Sequence, residues 1–169
     1  SLIQYLTQAE APDLLKLITA MVFTNSMTIV IFQFPLLKMM INMSINQRIY
    51  VGLLLLLSSQ IVFIYSPTDG YWSWIIGVFI LSLGEAILFP TMNIQIDRLA
   101  PAHLRGSYFG ATSFYTLGFA SAPIIGGMMI DQYSGAALYQ LTSLLTFIVI
   151  GLYLISHHLK RPDFSTEPG

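Results

Sequence analysis

Cysteine is absent from this 169-residue chain, and charge is scarce. Without a thiol there is no disulfide scaffold, no cysteine nucleophile and no thiolate metal site. Charged residues make up 9% of the sequence and hydrophobic residues 55%, whereas soluble domains carry about 25% charged residues. A soluble fold this apolar has nowhere to hide the excess, so the composition points to a membrane protein. The net charge of -1 comes with no basic block of the kind that binds nucleic acid. There is no Walker loop, glycine-rich dinucleotide loop, nucleophile elbow or His-Glu-x-x-His pattern. We therefore expect no catalytic residue, no metal site and no cofactor, and do not expect an enzyme. The opening residues do not follow the n-region, h-region and cleavage-site pattern of a secretory signal peptide.

What the chain does contain is five long apolar runs, at about 13–37, 49–65, 71–94, 107–130 and 136–156. Only helices and closed barrels satisfy every backbone N–H and C=O inside lipid. Each run is near or above the roughly 17 residues that cross the hydrocarbon core as a helix. The expectation is an all-α, polytopic membrane domain over residues 1–157, with five transmembrane helices and a short tail at 158–169. Proline in Ala11-Pro12-Asp13 suits the entry to the first helix. The tail, with Pro162 and Pro168, reads as a disordered end. The chain opens on Ser1 rather than Met, and an odd number of spans puts its ends on opposite sides of the membrane. Both features lead us to expect a segment of a longer protein.

Cations alternate by connector. Lys38 and Arg48 flank the first, Arg98 and Arg105 occupy the third, and Lys160 and Arg161 follow the fifth span. The second connector, 66–70, and the fourth, 131–135, carry none. The positive-inside rule makes the cation-bearing side cytoplasmic, with the amino end outside and the carboxyl end inside. Lys16 is the exception, one turn into the first helix, where its stem can snorkel outward. Tyr65, Tyr71, Trp72, Trp74, Tyr133 and Tyr139 cluster around the uncharged connectors, as an aromatic belt on the outer face would.

Glu85 is the ionisable side chain that falls deep inside a span. A charge there costs about 2.5–3.5 kcal/mol on insertion scales, so it should face protein or water. Burial disfavours the charged form of a carboxyl, which suits a group that takes up and releases protons. The structural alternative is a carboxyl that locks two helices together. Asn25, Gln33 and Asn93 are candidates to line a substrate cavity; interhelical glue is the competing reading. Pro35 and Pro90 each remove a helical hydrogen bond near the cytoplasmic ends. In the fourth span, Gly106 and Gly110 and then Gly118, Ala122 and Gly126 recur at a spacing of four, with Pro123 and Gly127 beside them. Such a stripe admits a second helix at close range, either as a static seam or as a sliding contact. His157-His158 read as interfacial and His103 as a solvated connector residue.

Residues 84–90 read GEAILFP, residues 96–110 read IDRLAPAHLRGSYFG, and Gly118 is followed by Pro123, Gly126 and Gly127. This run resembles the tenth and eleventh helices of a major facilitator superfamily transporter, and most resembles the bacterial drug:proton antiporter branch with its MdtH-like multidrug exporters. The resemblance covers nearly the whole chain and makes its spans helices eight to twelve, most of one six-helix half. The connector at 34–48 keeps only scattered basic positions of the family's G-x-L-x-D-R-x-G-R-K pattern.

The resemblance implies a proton-coupled exporter of small, hydrophobic compounds in a bacterial inner membrane, working by alternating access around a midplane site. Its partners would be the lipid bilayer, a small-molecule substrate, protons and an N-terminal six-helix half in the same or a separate polypeptide, with no nucleic acid. Glu85 becomes the proton or cation carboxylate, and Asp97, Arg98 and Arg105 a cytoplasmic gate. Pro90 and the glycine stripe serve helix packing and gating. The competing class is a truncated, non-transporting remnant or a membrane scaffold that associates through the glycine stripe.

Overall fold

The computed structural model describes residues 6–7, 13–67, 69–100, 102–133 and 135–156. Pro12, His157, His158 and the tail at 158–169 lie outside the described residues. The chain forms α1 (Leu14–Met39), α2 (Ile45–Tyr65), α3 (Tyr71–Leu99), a 3-10 turn (Ala102–Leu104), α4 (Arg105–Thr112), α5 (Phe114–Gln132) and α6 (Gly135–Ser156). No strand occurs among the described residues, so nearly all backbone hydrogen bonding is local to a helix, as lipid demands. Five stretches are long and apolar enough to cross a membrane: α1, α2, Tyr71–Arg98, Gly106–Ile130 and Ala137–Ile155. The architecture is the all-α, five-span one that the hydropathy pattern predicts.

Local chemistry sets the helix ends. Ser44 opens α2 with a capping box: its Oγ accepts from the Gln47 backbone N–H at 3.2 Å, and Gln47 Oε1 accepts from the Ser44 N–H at 2.8 Å. Arg48 donates from Nη2 to the Ile41 carbonyl at 3.1 Å, which ties down the tight connector before it. Asp13 stands at the N-cap position of α1 in a left-handed conformation (φ 50°) without a side-chain capping bond, and Lys16 pairs with it at 3.3 Å in the open, where an ion pair adds little stability.

The fourth span, expected as one helix, breaks at Ser113 into α4 and α5. Thr112 and Ser113 donate their hydroxyls to the Phe109 carbonyl, and Thr116 donates to the Ser113 carbonyl. The Ser113 and Thr116 N–H groups bond three residues back. Clustered hydroxyls compete with the regular ladder and tighten it locally. Prolines 35, 90 and 123 leave α1, α3 and α5 unbroken.

Packing is uneven. α3 lies closely against α2 and α1, and α6 against α2, whereas α5 rests mainly on α6. The α2–α3 seam is built on glycine. A Cβ on Gly52 would sit 2.5 Å from Leu88 Cγ; one on Gly84 would sit 3.1 Å from the Gly52 carbonyl; one on Gly77 would collide with the Phe63 ring. At one end of this seam Phe63 stacks on Trp74 (5.6 Å between ring centres) and leans on Tyr139 (5.3 Å), with Leu17, Met21 and Val78 around them. At the other end Ile49, Leu53 and Leu88 form a second apolar cluster.

The aromatic belt therefore divides. Tyr65, Trp72 and Tyr133 face outward and Tyr71 is borderline, but Trp74 is 0% exposed and Tyr139 only 5%, so these two belong to the core. Trp74 meets its polar requirement by donating from Nε1 to the Pro67 carbonyl at 3.0 Å.

Trp74→Ala is expected to cost about 3–5 kcal/mol, and Trp72→Ala less than about 0.5 kcal/mol, in thermal unfolding of the detergent-solubilised protein. In the same assay Gly84→Leu, which drives a branched side chain into the α2 backbone, should cost about 1–3 kcal/mol or more. Gly118→Ala, which meets nothing within 4 Å, should leave stability unchanged or raise it by up to about 1 kcal/mol.

Candidate functional site

Two stripes of equal spacing face each other across α1 and α3. On α1 they are Leu17, Met21, Asn25 and Thr28; on α3, Trp74, Val78, Ser82 and Glu85. Steps of four, four and three residues keep each set on one helical face. Leu17, Met21, Trp74 and Val78 are buried in one apolar cluster, and the next two steps turn polar. Thr28 and Ser82 are buried, while Asn25 and Glu85 are half-buried.

The polar steps meet. Asn25 Nδ2 donates to Glu85 Oε2 at 3.0 Å and to Ser82 Oγ at 2.9 Å. Ser82 in turn donates to the Val78 carbonyl at 2.7 Å, so its oxygen is left to accept from Asn25. With its proton committed to Val78, the Ser82 oxygen can only accept, which orients the Asn25 amide with its nitrogen toward α3. On the other side of α3, Gly84 lets the α2 backbone approach at the residue before Glu85. At this level α3 is thus held on one face by hydrogen bonds to α1 and on another by close packing against α2.

The other sequence-derived candidates lie apart from this cluster. Gln33 is half-buried and Asn93 exposed, and neither makes a side-chain hydrogen bond among the described residues. Asp97 and Arg98 are exposed at the end of α3, and the Arg105 side chain lies outside the described residues. Pro90 is half-buried in α3 one residue before Thr91, whose buried hydroxyl bonds the Ile87 carbonyl. Gly106, Gly110 and Gly118 face open space; Ala122 and Pro123 are exposed; Gly126 is buried and Gly127 half-buried. Close contact is also made at Gly52, Gly77 and Gly84, against Leu88, Phe63 and the Gly52 carbonyl respectively.

Sequence reasoning had no reason to single out Ser82, Gln60 or Thr142. Ser82 sits one turn before Glu85, a spacing that places both on one face. Thr142 of α6 donates to Gln60 Oε1 of α2 at 2.9 Å, and Tyr153 of α6 donates to Gln95 Oε1 of α3 at 3.1 Å. These pairs dock α6. Among the described residues no three His, Asp or Glu side chains gather as a metal site would require.

Comparison with known proteins agrees with this membrane architecture. The family model described as Major Facilitator Superfamily matches residues 17–168. The chain is 28% identical over 152 residues to the uncharacterized MFS-type transporter YqjV of Bacillus subtilis (strain 168), covering 89% of this chain and 37% of that protein. It is 24% identical over 129 residues to the uncharacterized MFS-type transporter YdeE of Escherichia coli (strain K12), covering 76% of this chain and 32% of that one. The chain thus spans about a third of the length of these curated relatives. No solved structure matches.

Thr142→Val, which removes the Gln60 contact while keeping the volume, should lower unfolding stability by about 0.6 kcal/mol and by no more than about 1.7 kcal/mol, the range of hydrogen bonds between membrane helices. Denaturation of the protein in bicelles measures it.

Proposed function

The chain belongs to the Major Facilitator Superfamily, and from that premise we propose that it is the helix-eight-to-twelve portion of a proton-coupled exporter of small hydrophobic compounds. It is an integral membrane protein of a transporter family and not an enzyme. In the proposed transporter an N-terminal six-helix half completes the cavity, and the two halves rock around a midplane site.

The observation that carries the reading is the hydrogen-bonded Glu85 at membrane depth. A carboxyl set about midway along α3 and held by Asn25 across the helix interface is oriented and half-buried, as a proton-carrying group of the proposed exporter would be. Uptake of a proton removes a charge from the low-dielectric interior, which changes the relative stability of states that expose Glu85 differently. A proton gradient can thereby drive the exchange.

Gln33 and Asn93 remain candidates for the cavity lining, and Asp97, Arg98 and Arg105 for a cytoplasmic gate. Pro90 and the glycines of α4 and α5 would serve as the mobile packing surface; the exposure of Gly106, Gly110 and Gly118 leaves room for another helix there. The distribution of Lys and Arg supports a cytoplasmic carboxyl end and an outer amino end, in a bacterial inner membrane.

In proteoliposomes holding the full-length transporter, Glu85→Gln should reduce pH-driven transport to background while the protein keeps its thermal stability and elutes as a folded species. Coupling that survives the substitution would overturn the assignment.

A further inference from the structure

We infer that Asn25 is a positioning residue for the Glu85 carboxyl, and that through it α1 registers whether Glu85 carries a proton. The inference deepens the proposed function and rests on it. The Asn25 amide nitrogen has two N–H groups, and the structure gives each a partner on α3: Glu85 Oε2 at 3.0 Å and Ser82 Oγ at 2.9 Å. Ser82 is tied to the Val78 carbonyl and does not titrate, so it fixes the amide in place whatever the state of the carboxyl. The bond to Glu85 is the variable one. Toward a carboxylate it is charge-assisted, about twice the strength of a neutral hydrogen bond. Once Glu85 is protonated, only its C=O accepts from the amide, and the bond becomes an ordinary neutral one.

The location makes that change consequential. Asn25 continues the stripe whose earlier members, Leu17 and Met21, pack against Trp74 and Val78. The grip of α1 on α3 therefore has a fixed apolar part and a proton-dependent polar part in series. By contrast, the Gln60–Thr142 pair between α2 and α6 is neutral in every state. Other titratable groups on the elements packed against α3 stay within about two turns of a helix end. They are Lys16 and Lys38 on α1, Arg48, Tyr50 and Tyr65 on α2, Arg105 and Tyr108 on the short α4, and Tyr139 and Tyr153 on α6, which touch Trp74 and Gln95; α3 itself carries Tyr71, Asp97 and Arg98 toward its ends.

The test is infrared difference spectroscopy of the full-length transporter in lipid nanodiscs between acidic and alkaline pH, paired with pH-driven transport. Glu85→Gln identifies the C=O stretch of the protonated Glu85 carboxyl as the band it removes. Asn25→Leu, close in shape but without a donor, should move that band to higher wavenumber, because the C=O loses its amide partner. It should also lower coupled transport by roughly tenfold. Asn25→Gln keeps the amide on a longer stem and should recover at least part of the transport. Thr142→Val, a loss of interhelical bonding of the same kind elsewhere, should leave both the band and the coupling in place.

A band that stays put in Asn25→Leu overturns the inference, as does transport that falls no further than in Thr142→Val. If Asn25→Leu does not fold, the smaller donor-free Asn25→Ala takes its place: a displaced band supports the contact, an unchanged one overturns it. A Glu85→Gln protein that keeps its coupling overturns the parent reading, and this one with it.

Discussion

Inside hydrocarbon no water is available to complete a hydrogen bond, and that single constraint organises the molecule. It requires the described chain to be helical almost throughout, since a helix satisfies its own backbone. It also requires each polar side chain at depth to find a partner in protein. Ser59, Ser82 and Thr91 are buried and return their hydroxyls to carbonyls of their own helices. Asn25 and Glu85 are too large and too polar for that local solution, so they reach each other across two helices. The site is the place where the constraint is met by tertiary structure rather than by the helix itself.

Because lipid tails are as apolar as leucine, helices gain little from merely burying apolar area against one another. Close packing and polar contacts decide which helices adhere. Gly52, Gly77 and Gly84 supply close packing between α2 and α3, and the stacked Phe63, Trp74 and Tyr139 join α2, α3 and α6. Asn25 supplies the polar contact between α1 and α3. Where neither is present, along α4 and most of α5, the helices sit more loosely and leave Leu117, Ile124 and Met128 facing outward. Glu85 lies in the firmly packed part, next to the glycine that brings α2 closest. A group whose charge state is to shift a conformational balance needs such surroundings, since loosely held side chains relax instead of transmitting the change.

Much of this was legible in the linear sequence. Glu85 stood out because a carboxylate in an apolar run is costly, and Asn25 because an amide at depth needs a partner. Nothing in their positions said that they would be partners of each other, since that depends on how far α1 slides along α3. Trp74 and Trp72 are two residues apart and read alike as belt residues, yet the rotation of α3 sends one into the core and the other outward. The glycine stripe drew attention by its regularity, but regularity within one helix says nothing about whether a neighbour is there. Within the stripe Gly118 is open while Gly126 is buried, and Gly52, Gly77 and Gly84 on α2 and α3 show their use only through the facing helix.

The sequence by itself determined the membrane class, the all-helical composition, the number of spans and the residues whose burial would be expensive, because those follow from hydropathy and length, which are local and additive. The tertiary structure alone decided the helix pairings, the rotation of each helix about its axis and the meeting of Asn25 with Ser82 and Glu85. Those depend on contacts between residues nearly sixty positions apart, and in lipid they are selected by shape and hydrogen bonding rather than by the hydrophobic pattern that the sequence displays.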